Sequence, residues 1–230
     1  MSGKKPYMRT LVCLANSRKM SGRCVAGREL TGKVFGDWLR PISARPLEEL
    51  SEEERRYSDG RDPRVLDIIS IPLSSPYARS YQTENHIIDP NYYWEKRGTI
   101  SWAELQGAVE RFTGPLWVDG HSSYHGENDR VPENIAATLT RSLYVIEPTS
   151  FRIVVSIEGE EFNDPKRKVR AFFEHNDVQY KLSVTDPVAE GKFLAGEDGE
   201  FALPKVILCI SLGELYQHYA YKLIAAVITP

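Results

Sequence analysis

Short apolar runs broken by Gly, Pro, Asn and Asp recur along this chain, and only one stretch keeps helical spacing for several turns. That pattern is the tightest constraint on the fold. A parallel sheet needs a helix after nearly every strand, and those helices are missing. Two groups of five to six short strands, joined by irregular loops, fit small barrels instead. We therefore expect a mainly β protein with a few short helices and two small barrels in tandem, over residues 7–120 and 141–230.

The first group opens with Thr10–Leu14, Arg23–Leu30 and Asp37–Ile42, separated by the polar loop Asn16–Gly22 and the Gly-bearing turn Thr31–Gly36. Runs punctuated in this way read as a three-strand antiparallel meander. An acidic stretch follows, in which Ser51 and Glu54 form a capping-box pattern that starts a short helix at Glu52. Val65–Leu73 reads as a fourth strand, with Pro72 marking an edge or an end. Pro76–Trp94 reads as a loop in which Asp89-Pro90 opens one helical turn.

Ser101 and Glu104 make a second capping box, starting the single longer helix, Trp102–Phe112, with Trp102, Leu105, Val109 and Phe112 along one face. Gly114-Pro115 stops it. Past the polar loop Leu116–Arg130 and a helical turn near Pro132–Thr138, strands are expected at Leu143–Glu147, Phe151–Glu158, Val169–His175, Val178–Val184, Val206–Ile210 and Tyr219–Ile228. Asn176-Asp177 is a two-residue hairpin turn, because both residues tolerate positive φ.

Composition narrows the setting. With 230 residues, 41% of them hydrophobic, the chain can bury a core in each of two domains. No apolar run approaches the roughly 20 residues that cross a bilayer, and no apolar segment follows the basic start to make a signal peptide. A cytoplasmic protein with no membrane partner is expected. Cys13, Cys24 and Cys209 are far apart and lie in apolar runs, which suggests three buried reduced thiols and no zinc framework.

Charge is distributed unevenly. Residues 1–45 hold 10 basic and 2 acidic residues, a net of +8, while the whole chain has 29 basic against 32 acidic. A basic end on an acidic body points to a polyanionic partner.

The phrases LANSRKMSGRCVAGREL, WLRPIS, YSDGRDPRVLDIISIPL, YQTENHIIDPNYYWEK, YKLSVTDP and LCISLGELYQHYAYKLIAAVI occur in that order. Together they resemble the prokaryotic dual-OB-domain family from about Arg9 to Ile228. The resemblance implies two OB-like barrels, an association with nucleic-acid biology and a place in bacterial defence or conflict systems. It implies no catalytic residue.

OB barrels bind oligonucleotides or oligosaccharides on the face of strands 2–3 and with the loops joining strands 1–2 and 4–5. On that scheme the candidate nucleic-acid-binding residues are Arg18, Lys19, Arg23, Arg28, Trp38, Arg40 and Arg45. Trp38 and Arg40 are two apart on one strand and so leave the sheet on the same side. An indole beside a guanidinium is the combination that single strands stack on. Tyr92, Tyr93 and Trp94, beside Lys96 and Arg97, could add a second stacking wall, and Lys166, Arg167, Lys168 and Arg170 form another basic cluster.

Asp119, His121, His125, Glu127 and Asp129 collect possible metal ligands in one loop, but in no recognised metal-site spacing. No phosphate-binding glycine loop, G-x-S-x-G or paired Cys and His is present. The leading expectation is a non-enzymatic module for single-stranded nucleic acid that needs no cofactor. The alternatives are a module that docks an acidic protein or senses a nucleotide, and a metal-dependent hydrolase built on the 119–129 loop.

Overall fold

The computed structural model describes residues 6–230, so Lys4 and Lys5 of the basic end lie outside the described residues. The chain divides into two compact units, 1–108 and 109–230.

In the first unit the strands are β1 (Tyr7–Lys19), β2 (Gly22–Thr31), β3 (Val34–Ile42), β4 (Asp67–Pro76), β5 (Asn85–Ile88) and β6 (Glu95–Thr99). β1, β2 and β3 form the expected antiparallel meander. β3 then runs parallel to β5, β5 antiparallel to β4, and β4 antiparallel to β1, so five strands close on themselves. β6 adds to the outside of β4. A short helix, α1 (Glu52–Arg55), lies between the third and fourth strands and carries the Ser51/Glu54 capping box.

Closure depends on β1, which must pair with β4 along its first half and with β2 along its whole second half. A bulge between Cys13 and Ala15 bends it. Gly27 sits opposite that bend, and a Cβ there would lie 1.9 Å from the Val12 carbonyl oxygen. Only glycine lets the two backbones approach so closely. Inside the ring Leu11, Cys13, Val25, Leu39, Ile69, Ile71, Leu73 and Ile88 pack with Tyr57 and Trp94. Each fully buried aliphatic side chain there contributes about 1.5–3 kcal/mol of apolar burial.

Several elements depart from the sequence expectation. β1 runs on to Lys19 through most of the expected loop Asn16–Gly22, because its cross-strand pairing with β2 continues to the turn. β3 starts at Val34 inside the expected turn Thr31–Gly36, and β6 is an added strand. β5 lies inside the stretch that reads as loop, and it is the strand that closes the barrel. The expected helix Trp102–Phe112 is shorter, with one turn, α2 (Trp102–Leu105), followed by a 3-10 turn at Gln106–Ala108. Both capping boxes form as expected. The Asp89-Pro90 turn is present without a helix, with the Asn91 N–H donating to the Asp89 carboxylate.

In the second unit the elements are β7 (Arg130–Pro132), α3 (Glu133–Ala136), β8 (Leu143–Ile146), β9 (Ser150–Glu158), β10 (Lys166–His175), β11 (Val178–Val184), α4 (Pro187–Leu194), β12 (Gly199–Ala202), β13 (Ile207–Tyr216) and β14 (Tyr219–Ile228). The sheet order is β12-β9-β10-β11-β14-β13-β8, with β11 parallel to β14. β8 and β9 are consecutive, interrupted only at residues 147–149 around Pro148, so together they act as a single broken first strand. The order is then again 1-2-3-5-4-1, with α4 between the third and fourth strands. Asn176 and Asp177 both take positive φ in their turn. Phe173 and Tyr180 face each other across β10 and β11 with stacked rings 5.1 Å apart, at the centre of the core.

The cysteines are all free. Cys13 and Cys209 are buried as expected, while Cys24 is only half-buried. Among the described residues no helix is long and apolar enough to cross a membrane.

Candidate functional site

The β1–β2 hairpin of the first unit turns in two residues, Met20-Ser21, with Met20 at φ 48°. This is the loop between OB strands 1 and 2. Its register sets Lys19 opposite Gly22 and Arg18 directly opposite Arg23. Residues directly paired across a sheet project from the same face, and like charges placed that way repel. Arg18 is exposed, and Lys19 and Arg23 are half-buried.

The hairpin is docked by its backbone. The Arg23 N–H donates to the Leu50 carbonyl at 3.0 Å, and the Leu50 N–H donates back at 2.9 Å. Gly22 makes this approach possible, since a Cβ there would lie 2.5 Å from the Leu50 oxygen.

Next along the sheet, Arg28 on β2 pairs with Trp38 on β3. The Arg28 guanidinium sits 5.7 Å from the indole centre and its Nε donates to the Gly36 carbonyl at 2.5 Å. Trp38 is half-buried, so it is neither a pure core residue nor a free platform.

The other two expected cations are engaged by acids. Arg40 and Glu84 form an ion pair at 3.0 Å with their side chains only 4% and 5% exposed. Arg45 donates to Glu54 at 2.9 Å and to the Glu49 carbonyl at 2.7 Å, tying together the loop after β3. Arg79 reaches Glu48 of that same loop at 2.8 Å, which links it to the loop between β4 and β5. The seven expected binding residues thus separate into a hairpin tip (Arg18, Lys19, Arg23), a sheet-face pair (Arg28, Trp38) and two structural cations (Arg40, Arg45).

In the aromatic loop Tyr92 and Tyr93 are 62% and 52% exposed, while Trp94 is 1% exposed in the barrel core. Any stacking surface here is therefore made by the two tyrosines alone. The expected basic cluster of the second unit is mostly neutralised: Lys166 pairs with Asp164, Arg167 with Asp198, and Arg170 with Glu158 through two bonds of 2.6 and 2.8 Å. Lys168 is exposed.

The 119–129 loop spends its polar groups on itself and its neighbours. His125 bonds Glu161 at 2.7 Å, and buried Asp129 accepts from the Ser123 N–H and hydroxyl. Glu127 pairs through its backbone with Lys181. Asp119 is exposed and His121 half-buried. No group of three or more His, Cys, Asp or Glu among the described residues is placed to hold a metal ion.

One charged group escaped the sequence reading. Lys222 alternates with Ala220 and Ile224 on the inner side of β14 and is 1% exposed. Its Nζ donates to the Val118 carbonyl at 2.5 Å and lies 5.1 Å from the Tyr180 ring centre. The Tyr180 hydroxyl accepts from the Leu116 N–H at 2.9 Å. Burial pushes the Lys222 ammonium down to about 7, against the opposing pull of Asp129 and Asp119. Burial likewise pushes the Tyr180 phenol up to about 12.

A model of the dual OB-containing domain matches residues 9–227. The chain belongs to the dual OB-containing domain family. That family description agrees with the closed five-strand ring of the first unit and with the repeated strand order of the second. Comparison with curated proteins and with solved structures finds no match.

Proposed function

We propose that this dual OB protein binds single-stranded nucleic acid through its first barrel, without a catalytic step. The Arg18–Arg23 pairing carries the reading. Two guanidinium groups are set opposite each other at a two-residue turn, with Lys19 beside them. Like charges paired across a sheet repel, and a phosphate seated between them would offset that repulsion. A sugar-phosphate backbone is the polyanion that OB loops of this position accommodate. The Arg28–Trp38 pair lies on the same meander but on the opposite face from Arg23, which is in phase with core Val25, and there a base can stack against an indole already held by a cation.

Fluorescence anisotropy with a labelled single strand tests this. The triple charge reversal R18E/K19E/R23E is expected to weaken binding by at least about tenfold, since several phosphate contacts are reversed at once. Affinity unchanged in the triple variant would remove the proposal. An acidic protein partner would use the same three cations. It would bind with a fixed stoichiometry, and oligonucleotides of increasing length would then show no gain in affinity.

A further inference from the structure

We infer that the second unit carries a stacking site for single-stranded nucleic acid on the outer face of β14, where Tyr216, Tyr219, Tyr221 and Arg130 project together. It rests on the single-strand binding proposed above, but it shares no residue with the hairpin tip of the first unit.

Strand register fixes the face. On β14 Ala220 and Lys222 are buried, so Tyr219 and Tyr221, alternating with them, point outward. Tyr216 of β13 pairs directly with Tyr219 and projects from the same side. On the other edge β7 runs antiparallel to β14. Val131 lies opposite Ala220 on the buried side, while Arg130 and Pro132 lie opposite Tyr221 and Tyr219 on the outer side. Gln217 and His218 make a two-residue turn with φ of 48° and 67°, which keeps the hairpin in step up to the Tyr216–Tyr219 pair. These side chains, drawn from neighbouring strands, share one surface.

The Arg130 guanidinium lies 4.0 Å from the Tyr219 ring centre. Arg130 is in no ion pair among the described residues, and its Nε is buried without a hydrogen-bond partner. A buried orphan donor of this kind calls for a water or a ligand. Carboxylates beside it in the chain and on the hairpin are already engaged. Glu133 bonds His218 at 2.9 Å, and Glu214, in the irregular step of β13, has contacts of its own. The hydroxyls of Tyr216, Tyr219 and Tyr221 make no hydrogen bond among the described residues.

Rings beside an unpaired guanidinium suit a ligand that is aromatic and anionic at once. Tyr219 backs the guanidinium, whose N–H donors are left to meet a phosphate. Tyr216, 64% exposed, and half-buried Tyr221 on either side of it offer their rings to bases. A neutral sugar makes no use of the charge, and an apolar protein segment would cover it without pairing it. A duplex keeps its base faces inside the stack, so a single strand is the form that fits.

Fluorescence anisotropy of the full chain with a labelled oligothymidylate tests the inference, beside a strand of equal length that carries abasic sites. Each variant is measured alone and in the R18E/K19E/R23E background, where the hairpin tip no longer contributes. Tyr216→Ala, at an exposed position, is expected to weaken the base-bearing strand by about tenfold in both backgrounds through lost stacking, and to leave the abasic strand unchanged. Tyr216→Phe should keep the parental affinity, because the ring is what the base uses. Arg130→Gln is expected to weaken both strands alike. The triple variant reports on the hairpin and the single variants on this face, so either site can fail without the other. A loss with Tyr216→Ala that is equal for the two strands would overturn the inference. Affinity untouched by both Tyr216→Ala and Arg130→Gln would overturn it too, and would leave the face to a protein or a sugar.

Discussion

Arg40 and Glu84 meet at 3.0 Å with both side chains buried, and the Arg40 N–H also donates to the Glu84 carbonyl at 2.9 Å. The pair fastens β3 to the loop that leads into β5, at the start of the parallel β3–β5 contact that closes the ring. Arg40 therefore acts on the fold, although its place two residues after Trp38 on one strand suggests a ligand contact.

Arg40→Ala leaves the Glu84 carboxylate buried without its partner, and a loss of about 3–5 kcal/mol is expected. Replacing both residues together, as R40M/E84L, is expected to recover much of that loss, because no lone charge remains. Chemical denaturation of the three proteins measures this. A single variant as stable as the parent would contradict the account of the ion pair.

Gly27→Ala is expected to destabilise the first unit by more than about 2 kcal/mol, since overpacking against backbone cannot be relieved by a side-chain rotation. The clash is with the Val12 carbonyl, at the bend that lets β1 serve two neighbours. Gly32→Ala is the control for a glycine whose added Cβ meets nothing within 4 Å, with its cost set by φ alone. The midpoint of denaturation should fall much further for position 27 than for position 32.

Lys222 makes stability depend on pH. Its folded value of about 7 lies below its ordinary 10.5, so the unfolded chain holds a proton that the folded chain has lost. Unfolding free energy should therefore rise as pH climbs from about 7 to about 10.5, by an amount on the order of 4–5 kcal/mol at most. Lys222→Met removes the titrating group and should flatten that rise. Equal slopes for the two proteins over this window would show that the amine is not buried as described.

The sequence revealed the fold wherever local chemistry decides it. β11 and β14 begin and end where the apolar alternation does, and Asn176-Asp177 makes its turn through residues that accept positive φ. Both capping boxes are local hydrogen-bond patterns and were equally legible. β5 was not, because Asn85–Ile88 becomes a strand only through its pairing with β3 and β4. The expected helix Trp102–Phe112 ended early because its apolar spacing serves two cores. Leu105 is buried in the first unit, while Phe112 stacks on Tyr144 in the second, 4.7 Å between ring centres.

Of the candidate residues, the place of Arg18, Lys19 and Arg23 around a tight turn was readable, because the turn Met20-Ser21 is set by local sequence. The fates of Arg40 and Arg45 were not, since their carboxylate partners lie 44, 4 and 9 positions away and only the fold brings them together. Lys222 was hidden for the opposite reason. A lysine between Tyr221 and Leu223 reads as facing outward, and nothing local says that the barrel turns it in.

The salt dependence of single-strand binding tests the central claim most directly. Neutralising the hairpin tip as R18Q/K19Q/R23Q removes three cations, and each phosphate contact on a single strand contributes about 0.7 to the slope of log affinity against log salt. The slope of the triple variant is expected to be shallower than that of the parent by about 2, with the two curves converging at high salt. Parallel curves of equal slope would mean that Arg18, Lys19 and Arg23 touch no phosphate, and would contradict the account.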